Sequence, residues 1–311
     1  TRISYRSSTY FYMKDKENEF FWQQHLPFPV QVVEKVESID WISQTTMCMR
    51  YAYHHGYYDS VEREFRGFGM VERTDAETLS AEAEPTDVPP VWSKSWYHTG
   101  AVAEFGEWSR QFAREYYQGD PQAYPLPDST LALAVGQLPS DALDGEAFRQ
   151  ASRSLKGQLL RREVYAPAAA VAFDDQDPAA PYTVEEMSYC VRMLQLPERS
   201  EYGVFAIEPQ ESISYHYERK CADPRIEHSF VLEVDAYGNV LKSCAVSYGR
   251  RPGAHTFPEQ LTGKVVYEEA TVLNSIGQNV YLLGVPVEHK VYHLKHVTLS
   301  QERPYVAKNE L

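Results

Sequence analysis

Several groupings in the chain combine residue types that could do chemistry. His54-His55 followed by Asp59 offers two imidazoles and a carboxylate to a metal ion, the donor set of a metal-dependent hydrolase. Adjacent side chains of a strand face opposite ways, so these donors converge only across a sharp turn, and turn and packing roles are the stronger reading. Asp174-Asp175-Gln176-Asp177 sets hard oxygens at the odd spacing of a calcium loop. No glycine stands at its sixth position, and Pro178 and Pro181 break the geometry, so an exposed loop is expected. Glu62 and Glu64, with Arg63 and Arg66 around Phe65, pair carboxylates as acid–base catalysis requires. Alternating charge on a strand edge also blocks edge-to-edge aggregation, and that structural reading is preferred. His216 and His228 flank Asp223-Pro224-Arg225 and suit sheet-edge hydrogen bonds as well as metal ligation. Trp92, Trp96 and Tyr97 could stack on sugars if they formed an exposed row, which would make a carbohydrate-binding β-module. No phosphate loop, dinucleotide fingerprint, GxSxG or HExxH occurs. Cys48, Cys190, Cys221 and Cys244 make no CxxC or zinc spacing and read as small buried hydrophobes. No catalytic group, cofactor or metal is expected.

The elements that would position these residues are mostly strands. Aromatics make up 13% of the 311 residues, with 23 tyrosines, and such side chains favour pleated, half-buried surfaces. Length alone suggests about two domains. A net charge of −14 gives no general reason to bind nucleic acid or anionic lipid, and no apolar run is long enough to cross a membrane. The best such run, Ala166 to Phe173, is short and interrupted by Pro167. Thr1-Arg2 begins without a basic-plus-apolar leader, and the opening reads as a piece of something longer.

Period-two alternation predicts strands at Val30–Val36, Thr46–Tyr53, Glu62–Glu72, Ser212–Arg219 and Phe230–Val234. It continues at Val240–Tyr248, Lys264–Leu273 and Val280–Leu299, with Ala236-Tyr237-Gly238-Asn239 as a hairpin turn. His54–Asp59 is read as a turn and Asp75–Pro90 as a solvated loop and domain boundary. Thr183-Val184-Glu185-Glu186 resembles a capping box, yet Met187, Tyr189, Val191 and Met193 alternate, and strand is the expectation for Tyr182–Leu196. Phe105, Trp108, Phe112 and Tyr116 suggest a short helix. Phe148, Ala151, Leu155 and Leu159 predict a longer one from about Ser140 to Arg162, capped by Ser140 or Asp141. Its basic face, Arg149, Arg153, Lys156, Arg161 and Arg162, is read as solvated and balanced by nearby carboxylates, with docking on an acidic neighbour as the alternative. The fold class is therefore mainly β, built of antiparallel hairpins with one or two helices inserted.

The run from Tyr51 through Tyr53, His54, His55, Gly56, Tyr57, Asp59, Arg63, Glu64, Phe65, Arg66 and Gly67 to Gly69 closely resembles the B component of bacterial insecticidal toxin complexes, the Tc toxins. The resemblance extends to Leu26–Glu34, Trp96–Ala101, Leu160–Tyr165, Ile213–Arg219 (with Tyr215, Tyr217 and Arg219), Asp223–Arg225 and Tyr248–Arg251. It points to the middle-to-C-terminal part of that component, related to SpvB-type and Rhs/YD-repeat proteins, with Asp235–Leu241 around Gly238 as a degenerate YD repeat. The resemblance implies curved β-strips of a hollow shell, in which the B and C components together enclose the cytotoxic C-terminal region of C. It implies the C component as partner, and the A pentamer through the rest of B, in a secreted complex made in the bacterial cytoplasm. On this reading, residues 1–80 form a β-strip with the long motif. Residues 91–252 form the toxin middle/C-terminal domain, and 253–311 begin the Rhs shell region. One-sided burial of Tyr51, Tyr53, Tyr215 and Tyr217 is expected. The family's self-cleaving aspartate motif is not matched, because Asp120-Pro121, Asp177-Pro178 and Asp223-Pro224 lack the following glycine. Protease and toxic enzyme activity are therefore not carried over.

Overall fold

A computed structural model describes residues 1–42, 45–78, 90–101, 107–133, 145–166, 177–195, 202–251, 257–294 and 305–308. Strands form at the period-two segments, of which residues 295–299 lie outside the described residues, and also at Arg2–Ser7, Val91–Tyr97, Thr130–Leu133 and Leu159–Tyr165, where alternation did not mark them. They are β1 (Arg2–Ser7), β2 (Gln31–Asp40), β3 (Thr45–Asp59), β4 (Glu64–Thr78), β5 (Val91–Tyr97), β6 (Thr130–Leu133) and β7 (Leu159–Tyr165). They continue as β8 (Thr183–Gln195), β9 (Val204–His216), β10 (Arg225–Val234), β11 (Val240–Ser247), β12 (Lys264–Ile276) and β13 (Tyr281–Leu294). Apart from β6, each strand pairs antiparallel with the next, giving one continuous sheet that meanders in chain order. β6 runs parallel to β8 beside Cys190–Met193, on the edge that β7 leaves open by pairing only with Thr183–Glu186. β4 and β5 pair across the loop expected to separate two domains.

Among the described residues two α-helices are inserted, α1 (Ser8–Glu17) and α2 (Gly145–Ser154). The Ser7 side chain caps α1 by accepting from the Thr9 amide, and the helix buries Phe11 and Asp15. The expected helix to Arg162 is shorter than its periodicity implies. It ends at Ser154, and Gly157, with φ +83°, turns the chain so that Leu159–Tyr165 pairs with β5 instead. Backbone pairing in the sheet overrides the three–four spacing there, so Leu159, Arg161 and Arg162 are strand residues. Residues 140–144, the expected cap, lie outside the described residues. The aromatic stripe around Trp108 forms two 3₁₀ turns, Trp108–Arg110 and Ala113–Glu115, rather than one helix, and Phe105 lies outside the described residues. His54–Asp59 is strand, not turn, and β4 runs on through Asp75 to Thr78. β9 stops at His216, because Glu218 and Arg219 take positive φ in the turn that follows.

The sheet is covered on one side. In β10 and β11, Ile226, His228, Phe230, Cys244 and Val246 are buried, while Glu227, Ser229, Ala245 and Ser247 are exposed. The buried side meets the segment 107–129, α2 and the returning residues Tyr305–Val306. α2 and Trp108 pack on Tyr189 and Val191; Tyr124 and Tyr305 pack around Tyr215, Tyr217 and Ile226; Phe112 packs on Met70, Trp96 and Leu160. Each large side chain fully buried this way contributes about 1.5–3 kcal/mol. Tyr215 and Tyr217 are buried as expected, whereas Tyr51 and Tyr53 are only half-buried. Of the cysteines only Cys244 is buried, because Cys48, Cys190 and Cys221 sit at partly open positions.

Candidate functional site

The long motif lies on the β3–β4 hairpin, and its residues are spent on joining that hairpin to the rest of the chain. Asp59 closes the turn by accepting the amides of Val61 and Glu62 on Oδ1 at 2.9 and 3.0 Å. Its Oδ2 lies 2.8 Å from Arg66 Nη2. Arg66 Nη1 donates to the Gly100 carbonyl at 2.6 Å, and Glu64 is 3.4 Å from its Nε. Arg66 is 2% exposed, so one buried guanidinium ties the hairpin to the bend after β5. That bend requires glycine. Gly100 has φ +70°, and a Cβ there would stand 3.0 Å from the Arg153 Cα of α2. Arg63 turns the hairpin with φ +53°, Phe65 packs edge-on to Phe68, and the Tyr57 ring lies 5.9 Å from the Arg66 guanidinium carbon.

The two histidines do converge, though not on a metal. His55 has φ +56°, and the β3–β4 register shifts between Gly56 and Tyr58. This bulge sets both imidazoles against Phe20, at ring separations of 5.6 and 5.3 Å. His54 Nδ1 is 2.6 Å from Asp15 of α1, which also accepts from Trp22 Nε1 at 2.6 Å. His55 Nδ1 accepts the Gln23 amide at 3.0 Å, so its Nε2 carries the proton and faces Glu115 at 2.9 Å. Trp96 Nε1 donates to the other Glu115 oxygen at 3.0 Å. Asp59 is engaged by Arg66, so the metal-hydrolase grouping is broken up among three partners. Among the described residues no group of three or more His, Cys, Asp and Glu could hold a metal ion. The motif glycines have separate roles. A Cβ at Gly69 would be 2.4 Å from Phe112 Cζ, and one at Gly56 would be 2.9 Å from Trp22 and Leu26. Gly67 takes φ +94°.

Glu62 and Glu64 receive the basic face of α2. Arg149 reaches Glu62 at 2.6 Å, and Arg153 and Lys156 reach Glu64 at 3.2 and 3.0 Å. Arg149 thus docks on Glu62, which fits the alternative reading of that face, while Arg153 and Lys156 stay partly exposed and balanced by Glu64, which fits the preferred one; Arg161 and Arg162 belong to β7. Hydrogen bonds from Arg149 and Gln150 hold the Glu146 carboxyl down at about 2.

Further along the sheet, Arg161 pairs with Glu163 at 2.6 Å and with Glu186 across β8. Glu163 also accepts from the Tyr117 amide and the Tyr165 hydroxyl. Tyr217 donates to Asp120 at 2.9 Å, Arg251 grips the same carboxylate through both Nη atoms at 2.9 and 2.7 Å, and the Tyr215 oxygen accepts the Tyr124 amide. The rings of Tyr215 and Tyr217 stack 5.5 Å apart. His228 is a core histidine, 3.3 Å from Glu211 and 3.1 Å from Tyr248 Oη. His216 stands opposite Arg225 in the β9–β10 pairing. The buried Arg219 reaches the Asp177 carbonyl at 3.4 Å; Asp174–Gln176 lie outside the described residues. Gly238, φ +88°, forms the turn from β10 to β11, where Asp235 accepts the amides of Tyr237 and Asn239.

These groups are tuned away from reactivity. Burial pushes the thiols of Cys190, Cys221 and Cys244 up, the last to about 11, leaving them as thiols at neutral pH. Burial likewise raises Tyr116, Tyr165, Tyr215 and Tyr217, and raises Glu186 against the pull of Arg161. Burial lowers His98 to about 4, keeping it a neutral imidazole. What the arrangement does is cross-link sheet, helices and loops. Trp96 is fully buried under Phe112, so Trp92, Trp96 and Tyr97 do not form the exposed aromatic row of a sugar-binding module.

Residues 1–100 match the family described as insecticide toxin TcdB middle/N-terminal region, and residues 150–295 match the TcdB middle/C-terminal region. The chain belongs to the TcdB insecticidal-toxin family. Among solved structures, a TcdB2–TccC3–TEV crystal structure is 29% identical over 99% of this chain, with a TM-score of 0.82. TcdB2–TccC3 without its hypervariable C-terminal region is 30% identical over 94%, with a TM-score of 0.79. A Photorhabdus luminescens Tc holotoxin pore is 28% identical over 96%, also at 0.79. This chain spans only 14–15% of the length of those chains. No curated protein matches it significantly. It is a stretch of the middle region of a Tc B component, a structural toxin component, in which no helix among the described residues is long and apolar enough to cross a membrane.

The family motif marked the hairpin but not its partners. Asp15, Trp22 and Glu115 were missed, and Gly100 and Asp120 were noted without these roles, because each acts through a contact distant in sequence. The clearest available signal was Ser7-Ser8 before Phe11, a helix start that the strand-dominated pattern obscured.

Proposed function

We propose that this chain is a non-enzymatic stretch of the shell wall of a Tc B component, which with the C component encloses and delivers the cytotoxic C-terminal region of C. The observation that carries the reading is likeness over nearly the whole chain to TcdB2–TccC3 complexes, joined to an open sheet in which buried ion pairs such as Arg66–Asp59 and Arg251–Asp120 tie elements together. The relatives' structures include versions carrying TEV or Cdc42 and one without the hypervariable region, as a container with a variable guest would. In this reading Tyr51, Tyr53, His54, His55, Arg66, Tyr215, Tyr217 and Arg219 are wall-building residues, the C component is the direct partner, and the A pentamer is reached through the rest of B. The complex acts outside the producing cell.

The test is co-expression of the complete B component with its C component, followed by co-purification and limited proteolysis. A co-purifying complex in which the C-terminal region of C survives protease is expected. A B component that leaves that region fully digestible would refute the shell role.

A further inference from the structure

Exposed apolar side chains scattered singly over a surface are ordinary, but here the two most exposed large ones among the described residues are neighbours. Trp41 is 83% exposed and Ile42 98%, at the tip of the β2–β3 hairpin. The other four tryptophans are buried or half-buried. The tip is held in shape, because Asp40 Oδ1 accepts the Ile42 amide at 2.8 Å and closes the turn.

Behind the tip, β2 and β3 pair in register from Asp40 with Thr45 to Lys35 with Arg50. Ile39 stands opposite Thr46, and Met47 opposite Ser38. Successive side chains of a strand alternate in facing, so the exposed Ile39 and Met47 lie on opposite faces of the hairpin. The result is a peg with apolar surface at its end and on both sides.

We infer that Trp41 and Ile42 form an anchor that inserts into an apolar protein cleft elsewhere in the same B–C complex. This placement rests on the shell reading, since it needs the B and C components to be joined. The shape calls for a cleft, because a flat surface would cover only one side of the peg. A tryptophan presented on a preformed turn loses little freedom on insertion, and tryptophans are prominent among the few residues that carry most of an interface's strength. Chain length places the cleft in the same assembly. This stretch spans 15% of the related TcdB2–TccC3–TEV chain, so most of the polypeptide able to cover the tip lies outside residues 1–311. Charge argues against a bilayer. Apolar anchors at membrane surfaces are flanked by lysine and arginine, and residues 36–49 contain neither. Lys35, just beyond them, is paired with Glu37 at 2.6 Å, and Asp40 would have to follow the tip toward the lipid.

The experiment uses the complete B–C complex. A photo-crosslinking benzoylphenylalanine replaces Trp41 or, as the control, Val61, which is 71% exposed beyond the other end of β3. Adducts are mapped by mass spectrometry, with and without phosphatidylcholine vesicles. Adducts from position 41 to one site in B or C outside residues 1–311, about tenfold or more above those from position 61, are the expected result. In parallel, Trp41→Ser should speed hydrogen exchange at the tip-proximal ends of β2 and β3 roughly thirtyfold in the complex, the loss typical of a truncated tryptophan anchor. No adduct above the Val61 level, exchange unchanged by Trp41→Ser, or adducts only to lipid or to a second complex would overturn the anchor. Failure of the unsubstituted B and C components to co-purify would instead overturn the shell reading.

Discussion

Replacing Arg66 with methionine tests whether the motif acts as a structural lock. Methionine keeps the apolar stem but removes the guanidinium, so Asp59, 5% exposed, loses its counter-charge at 2.8 Å and the Gly100 carbonyl loses its donor at 2.6 Å. Breaking a buried pair by removing one partner costs about 3–5 kcal/mol, because the remaining charge is uncompensated. If the β3–β4 hairpin opens locally, its amides should exchange hydrogen roughly 10²–10⁴-fold faster. Removing the second charge as well should recover most of the loss. In the D59N/R66M double variant the asparagine oxygen still accepts the Val61 and Glu62 amides, and no buried charge is stranded. The cycle should therefore show a coupling of about 2–3 kcal/mol. The assay is hydrogen exchange by mass spectrometry on the complete B component, followed over β3, β4 and the Gly100 bend. An R66M variant exchanging within fivefold of the parent, or a double variant no better protected than R66M alone, would refute the reasoning.

Other outcomes follow from the same geometry. Burial depresses His98 to about 4, and a group depressed on folding contributes stability that is fully present above the unfolded value of 6.5 and is lost as pH falls toward 4. The loss is about 3 kcal/mol, and His98→Gln should flatten a urea titration across that window. Gly69→Ala places a methyl 2.4 Å from Phe112 Cζ and should cost about 1–3 kcal/mol in denaturant, with Phe112→Leu in the same chain restoring part of it. Gly284→Ala meets both φ +65° and Asn239 Oδ1 at 2.6 Å, so hydrogen exchange should quicken in β12 and β13 while β3 and β4 stay unchanged. Arg149→Glu puts a carboxylate beside Glu62 and Glu146 and should release α2, seen as proteolytic cleavage near Ser154 that the parent resists.

Strands were legible wherever one face is buried and the other exposed, because the period of two is then written directly into side-chain polarity. β11 shows this most clearly, with Cys244 and Val246 buried and alternating with exposed Ala245 and Ser247, whereas β10 starts at Arg225, five residues before the Phe230 at which alternation was read. Reading failed where a local signal competed with a distant one. Leu155 and Leu159 keep helical spacing, but Gly157 and the open edge of β5 take Leu159 into the sheet. His54 and His55 were expected to diverge, and they converge because one bulge and one positive φ reverse the alternation at that point.

Composition, alternation and the long aromatic motif were enough to establish a mainly β chain of the Tc B-component type, since these depend on residue order alone. Which charges meet was decided only by the tertiary structure. Arg66 with Asp59 spans a hairpin, and His55 with Glu115 and Arg251 with Asp120 span much longer separations. The physical reason is that a strand's own pattern says which side is buried, whereas the partner that buries it is set by how the whole sheet and its insertions close over one another.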